Sequence, residues 1–209
     1  MAREKNTGNI IGRLAKRYFI DALSAMALGL FSSLIIGLII EQFAKIPGLS
    51  KLGDFAAAAK AGLVTGGAIG AAIAYGLKEK PLVIFSNIAV GAFAYQAGGP
   101  FGAYVAAVFG AEIGNLLAGR TKVDIVLVPI MTIIPGCLAG SFIGPYISGL
   151  MTALGDFVMR ATELQPILMG IVVSVVMGMI LTAPISSAAI AISLGLAGLA
   201  GGASVAGCS

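Results

Sequence analysis

The sequence has no histidine, only two cysteines and few charges. The missing imidazole removes the commonest metal ligand, proton shuttle and phosphate-accepting side chain together. Cys137 and Cys208 do not form a spaced ligand set, and Cys137 sits in an apolar run where it reads as a small packing residue. Neither is in the exposed electropositive loop that a phosphoryl-accepting thiol needs. Charged residues make up 11% of the chain, against about 25% in soluble domains. A soluble domain of 209 residues must still cover itself with polar surface, so this deficit excludes a conventional soluble enzyme. The first 21 residues do not read as a secretory signal: they carry Arg3, Lys5, Arg13, Lys16 and Arg17, and no small-residue cleavage site. The net charge of +4 is not a nucleic-acid signal, because the cations sit near the N-terminus and in short segments between apolar runs.

What is present is apolar. Hydrophobic residues are 58% of the chain and the mean hydropathy is +1.02. Glycine is 30 of 209, about twice average usage, which fits tightly packed membrane helices. The fold class expected is all-α: a polytopic helical membrane protein of six to seven spans, some broken or kinked. Residues 1–20 read as a basic cytoplasmic segment at the interface, and 21–209 as one membrane-embedded domain. Expected spans cover residues 22–40, 55–77, 82–97 and 101–117. Residues 125–154 exceed one simple span and contain Pro129, Pro135-Gly136 and Gly144-Pro145, so a kinked or unwound helix is expected there. A sixth span follows at 166–181, then a small-residue segment at 188–205.

Placing the N-terminus inside puts Arg3, Lys5, Arg13, Lys16, Arg17, Lys78, Lys80, Arg120 and Lys122 on the inner side. Lys45, Lys51, Lys60 and Arg160 fall outside, and this excess supports a cytoplasmic N-terminus in a bacterial inner membrane. Lys60 lies one turn inside its span and can snorkel outward.

Two segments carry small residues at four-residue spacing: Gly62, Gly66, Gly70 and Ala74, then Gly102, Ala106, Gly110, Gly114 and Ala118. That spacing keeps them on one helix face, so these stripes predict close helix contact, within the protomer or across a homodimer. The other face of residues 101–117 presents Tyr104, Val108, Glu112 and Asn115. A carboxylate near the middle of a bilayer costs roughly 2.5–3.5 kcal/mol on insertion scales, so Glu112 must be paired or used. Candidate partners are Asn87, Gln96, Thr132 and Ser186, with Lys60 too close to an interface for a confident ion pair.

Backbone breaks give a second signal. Gly98-Gly99-Pro100 and Gly144-Pro145 read as extramembrane turns. Pro135-Gly136 and residues 182–187 read as the better buried breaks, of the sort that build substrate sites in transporters. Ser186 and Ser187 either present hydroxyls there or cap the following helix.

Gly110-Ala111-Glu112-Ile113-Gly114 and Thr121-Lys122-Val123-Asp124-Ile125-Val126 resemble the membrane component (EIIC) of bacterial phosphotransferase systems, in the divergent branch that includes toxin-regulator-like membrane proteins. Ala161-Thr162-Glu163-Leu164-Gln165-Pro166 and the run from Ala183 to Ile192 resemble it too. The likeness starts near residue 15. Members usually continue past the point where this chain stops, so the resemblance implies a C-terminally truncated domain.

The resemblance implies a sugar-translocating subunit, normally dimeric, that presents a sugar-like small molecule to a phosphorylated cytoplasmic partner protein. In better-known branches a membrane carboxylate orients the sugar and a histidine assists. Glu112 matches the first role and no residue matches the second, so any phosphorylation needs the separate partner. The substrate-binding set expected is Glu112, Asn115, Gln96, Asn87, Tyr104, Ser186 and Ser187, with no catalytic residue, no metal and no cofactor. The alternatives are a membrane regulator or sensor that does not transport, and an ion-coupled carrier that uses Glu112.

Overall fold

A computed structural model describes residues 12–120 and 123–164. The expected spans at 166–181 and 188–205, and the expected break at 182–187 with Ser186 and Ser187, lie outside the described residues. Every regular element among the described residues is a helix. They are α1 (Gly12–Ala44), α2 (Leu52–Lys60), α3 (Gly62–Gly76), α4 (Pro81–Leu117) and α5 (Asp124–Leu164). Three helices are long and apolar enough to cross a bilayer, or four when the bent pair α2–α3 counts as one span. Of the six to seven spans expected, the described residues therefore hold three to four candidates by length and composition, with the whole of α4 counted once.

The small residues face inward and many large ones face out. Ala22, Ala74, Ala103, Ala106, Ala107 and Ala111 are buried, while Leu28, Phe85, Phe142 and Ile125 are exposed. Lipid tails are as apolar as leucine, so burying leucine gains little and close backbone approach gains more.

Helix α1 is continuous from Gly12, so the basic residues just before Asp21 belong to the same helix as the first apolar run. It contains two π-helical stretches, Lys16–Ala22 and Phe31–Ile35. Ser32 and Ser33 both donate to the Gly29 carbonyl (3.1 and 2.7 Å), which competes with the backbone ladder where the second stretch begins. Gly29 lies against α3: a Cβ there would come 2.7 Å from the Ala68 carbonyl oxygen.

The span expected at 55–77 is two helices. Ala61 is extended (φ −55°, ψ 132°) and the axes of α2 and α3 bend by 56°. The cause is tertiary. Lys60 pairs with Glu41 at 2.6 Å, and Lys60 and Ala59 pack on Gly37, so α2 is held to the end of α1. Helix α3 packs on α4 instead. Gly66, Gly70 and Gly91 interlock so tightly that a Cβ on Gly66 would sit 2.5 Å from the Gly91 carbonyl oxygen. The first small-residue stripe is thus an intraprotomer contact.

Helix α4 folds back on itself. Gly98 and Gly99 have non-helical backbone angles, and Gly99 takes φ +61°, which favours glycine. Pro100 then starts the second arm with its φ already set and no N–H to satisfy. The arms, residues 81–97 and 100–117, run antiparallel: Asn87 bonds to Ala107, and the Lys80 ammonium reaches the Ala118 carbonyl. The turn expected at Gly98-Gly99-Pro100 is present.

Helix α5 corrects two expectations. Pro135-Gly136 is no break and Gly144-Pro145 is no turn: the helix continues through Pro129, Pro135 and Pro145. An interior proline costs about 3 kcal/mol. Opposing that cost is a third stripe, Thr132, Gly136, Gly140 and Gly144, laid along the α4 hairpin. A Cβ on Gly136 would sit 2.6 Å from Val90, on Gly140 2.8 Å from Ala94, and on Gly144 3.1 Å from Ala97. The second predicted stripe, from Gly102 to Ala118, is buried, and Gly102, Ala106, Gly110 and Gly114 meet α5.

Candidate functional site

The charged cluster forms where α1, the α3–α4 connection and the second arm of α4 meet. The α3–α4 connection aims Glu79. Lys78 adopts φ +60°, its N–H bonds the Tyr75 carbonyl (2.9 Å), and the Glu79 N–H bonds the Ala74 carbonyl (3.0 Å). This is a Schellman end to α3 with lysine where glycine is usual, and it turns Glu79 back under the bundle. Arg17 comes from the first π-helical stretch of α1, and such widened turns recur at functional sites.

Arg17 binds two carboxylates. Its Nη2 lies 2.7 Å from Glu79 Oε1 and 2.9 Å from Glu112 Oε1, and its Nε donates to Glu112 Oε1 at 3.0 Å. The Glu79 side chain is 1% exposed and that of Glu112 33%. Tyr18 also interacts with Glu112, and its carbonyl accepts the Tyr104 O–H at 2.7 Å. Glu79 Oε2 is buried with no hydrogen-bond partner. Burial pushes the Glu79 carboxyl up to about 7; the Arg17 guanidinium opposes this shift and the Glu112 carboxylate adds to it. An open cleft of about 440 Å³ lies beside it, lined by Tyr75, Gly76, Lys78, Glu79 and Ile84.

A model of the family described as "Phosphotransferase system, EIIC" matches residues 20–209. The chain belongs to that family. No curated protein and no solved structure matches it. EIIC membership and the apolar helices together make the chain a multi-pass membrane protein of a phosphotransferase-type transport system. Glu79 and Glu112 fall inside the matched region, and Arg17 just before it.

The expected binding residues that are described in this EIIC chain do not all gather in one place, and Ser186 and Ser187 lie outside the described residues. Glu112 and Tyr104 join the cluster around α1. Asn87 is fully buried elsewhere, donating to the Gly70 and Ala107 carbonyls at 2.9 and 3.1 Å, with Oδ1 unpartnered. It ties α3 to both arms of the hairpin. Gln96 and Asn115 are exposed. Two of the partners expected for Glu112 are committed elsewhere: Thr132 donates to the Val128 carbonyl, and Asn87 is held as described. The partner is Arg17, 95 positions away, read from sequence as a topology-setting cation. Glu79 was hidden in the same way between Lys78 and Lys80. Its signal was a lone acid in an otherwise basic connection. Among the described residues, no three His, Cys, Asp or Glu side chains gather to hold a metal.

Proposed function

We propose that the chain is the sugar-translocating membrane subunit of a phosphoenolpyruvate-dependent phosphotransferase-type transporter. The family match across residues 20–209 carries this reading. Residues 21–209 act as one membrane-embedded domain, with the N-terminus cytoplasmic. The meeting of Arg17 with Glu79, and of Lys80 with Ala118, supports that orientation, because it gathers inner-side cations at one end. The subunit works as a homodimer and presents sugar to a separate phosphorylated protein.

Glu112 is the proposed sugar-hydroxyl acceptor. It is partly accessible, and Asn115, one turn on, is exposed and supplies both donors and an acceptor. Tyr104 holds the α1 backbone beside it. Asn87 serves the site by fixing the hairpin, and Ser186 and Ser187 complete the proposed contacts, whereas Gln96 lies at the turn end of the hairpin, away from Glu112. The test is a thermal-shift and isothermal-titration screen of the purified chain against hexoses, hexitols and disaccharides. One class should bind, and Glu112→Gln should weaken it by about tenfold, the loss of one charge-assisted hydrogen bond. An intact, folded chain that binds no sugar in the screen overturns the reading.

A further inference from the structure

One guanidinium fastens the first turns of α1 to two other elements. Arg17 faces Glu79 in the α3–α4 connection and Glu112 in the hairpin, so one positive charge serves two carboxylates. With both acids ionised the cluster is left net negative. Glu79 bears most of that burden. Its side chain is nearly inaccessible, and only one of its two oxygens has a partner. A buried carboxylate with an orphan oxygen is costly, whereas the neutral acid removes the surplus charge. The open cleft lined by Tyr75, Lys78 and Ile84 borders Glu79.

We propose that Glu79 is a proton-operated latch: as the acid it holds the start of α1 against the hairpin, and as the carboxylate it lets α1 go. Among the described residues, the groups around Glu79 come from three elements. From α1, Arg17 and Tyr18 face the cluster, and the Asp21 side chain is exposed. From α4, Glu112 adds negative charge, and the Tyr104 hydroxyl is already given to the Tyr18 carbonyl. Beside Glu79 in the sequence, Lys78 is exposed and the Lys80 ammonium is given to the Ala118 carbonyl. Tyr75 of α3 is exposed.

The sign follows from where the proton binds more tightly. In the closed form the Glu79 carboxyl lies near 7, and once released into water it returns towards 4.5. Protonation therefore favours the closed form. Closure is complete below the lower value and is lost as pH rises through the upper one, with the closed-to-open ratio falling by on the order of a hundredfold. The latch stands whether or not the chain moves sugar.

The test uses the full chain in lipid nanodiscs, with Cys137→Ala and Cys208→Ala, and spin labels at Ala15→Cys and Arg120→Cys. Double electron–electron resonance should show one short distance near pH 5 and an added longer population near pH 9. Glu79→Gln should keep the short distance at both. Infrared difference spectra should show a carboxylic-acid carbonyl band that bleaches over the same range and is missing from Glu79→Gln. Distances that do not change with pH, or a pH response that survives in Glu79→Gln, overturn the latch. So does a wild-type spectrum with no protonated carboxyl near pH 5, a result independent of how the variant folds.

Discussion

Two ion-paired sites among the described residues differ in arithmetic and in burial. Lys60 and Glu41 pair one to one at 2.6 Å, both substantially accessible, where α2 docks on the end of α1. Arg17 serves two carboxylates, one of them almost fully buried. Water screens the first pair and leaves it a weak clamp. At the second site, desolvation competes with the ion pair and leaves an acid that titrates near neutrality. The same chemistry thus gives a static fastening in one place and a pH-sensitive one in the other, and burial decides which.

Breaking the buried site should have the larger effect. Arg17→Met strips the guanidinium from two acids, and losing one partner of a buried pair costs about 3–5 kcal/mol. The guanidinium is 37% exposed, so water softens the loss to roughly 2–3 kcal/mol near pH 5, where α1 is latched. Near pH 8 the loss should shrink, because α1 is then already partly released and its contacts with the two acids are no longer fully made. Denaturation midpoints in mixed micelles at the two pH values check both size and direction.

Asn87 supplies the comparison with a neutral polar group at greater depth. Asn87→Ala removes two hydrogen bonds and leaves the Gly70 and Ala107 carbonyls short of a donor. The expected cost is about 2 kcal/mol, equal at pH 5 and pH 8. A loss that varied with pH would mean that the cluster and the hairpin interior are coupled.

Much of the hairpin was legible in the sequence. The four-residue stripes at Gly66, Gly70, Gly110 and Gly114 announce close packing, and Gly98-Gly99-Pro100 announces a turn, because small size and backbone freedom are local properties. Glu112 was legible as an expensive charge, but its partner was not. A contact across 95 positions leaves no mark in periodicity, and a cation near the N-terminus looks the same whether it sets topology or binds an acid. Ala61 gives no warning of a break, since alanine is the best helix former. At Pro135 and Pro145 the local signal pointed the wrong way, because the packing of Gly136, Gly140 and Gly144 holds α5 straight enough to continue.

A smaller effect is expected at the bend that aims Glu79. Lys78 holds φ +60°, a left-handed conformation that costs a non-glycine residue about 1 kcal/mol. Lys78→Gly should relieve that strain, though glycine also loses more freedom on folding, so the net gain is a few tenths of a kcal/mol. The pH at which α1 releases should stay where it was, because Lys78 is exposed and the burial of Glu79 is unchanged. A shifted release pH would mean that the lysine charge contributes to the latch.

The smallest effect belongs to the accessible pair. Lys60→Met removes the ammonium but keeps a flexible apolar stem of similar reach to cover Gly37, against which the Lys60 stem packs. Glu41 is then left facing solvent, where an unpaired carboxylate is well hydrated and salt already weakens the pair. The denaturation midpoint should therefore move less than in any variant above, and by less in high salt than in low. The angle between α2 and α3 is the sharper readout, since labels on Phe55 and Leu63 report whether the 56° bend persists. If the bend relaxes on losing Lys60, the accessible pair sets geometry even though it adds little stability. If it persists, packing on Gly37 alone holds α2, and the contrast between the two sites is complete.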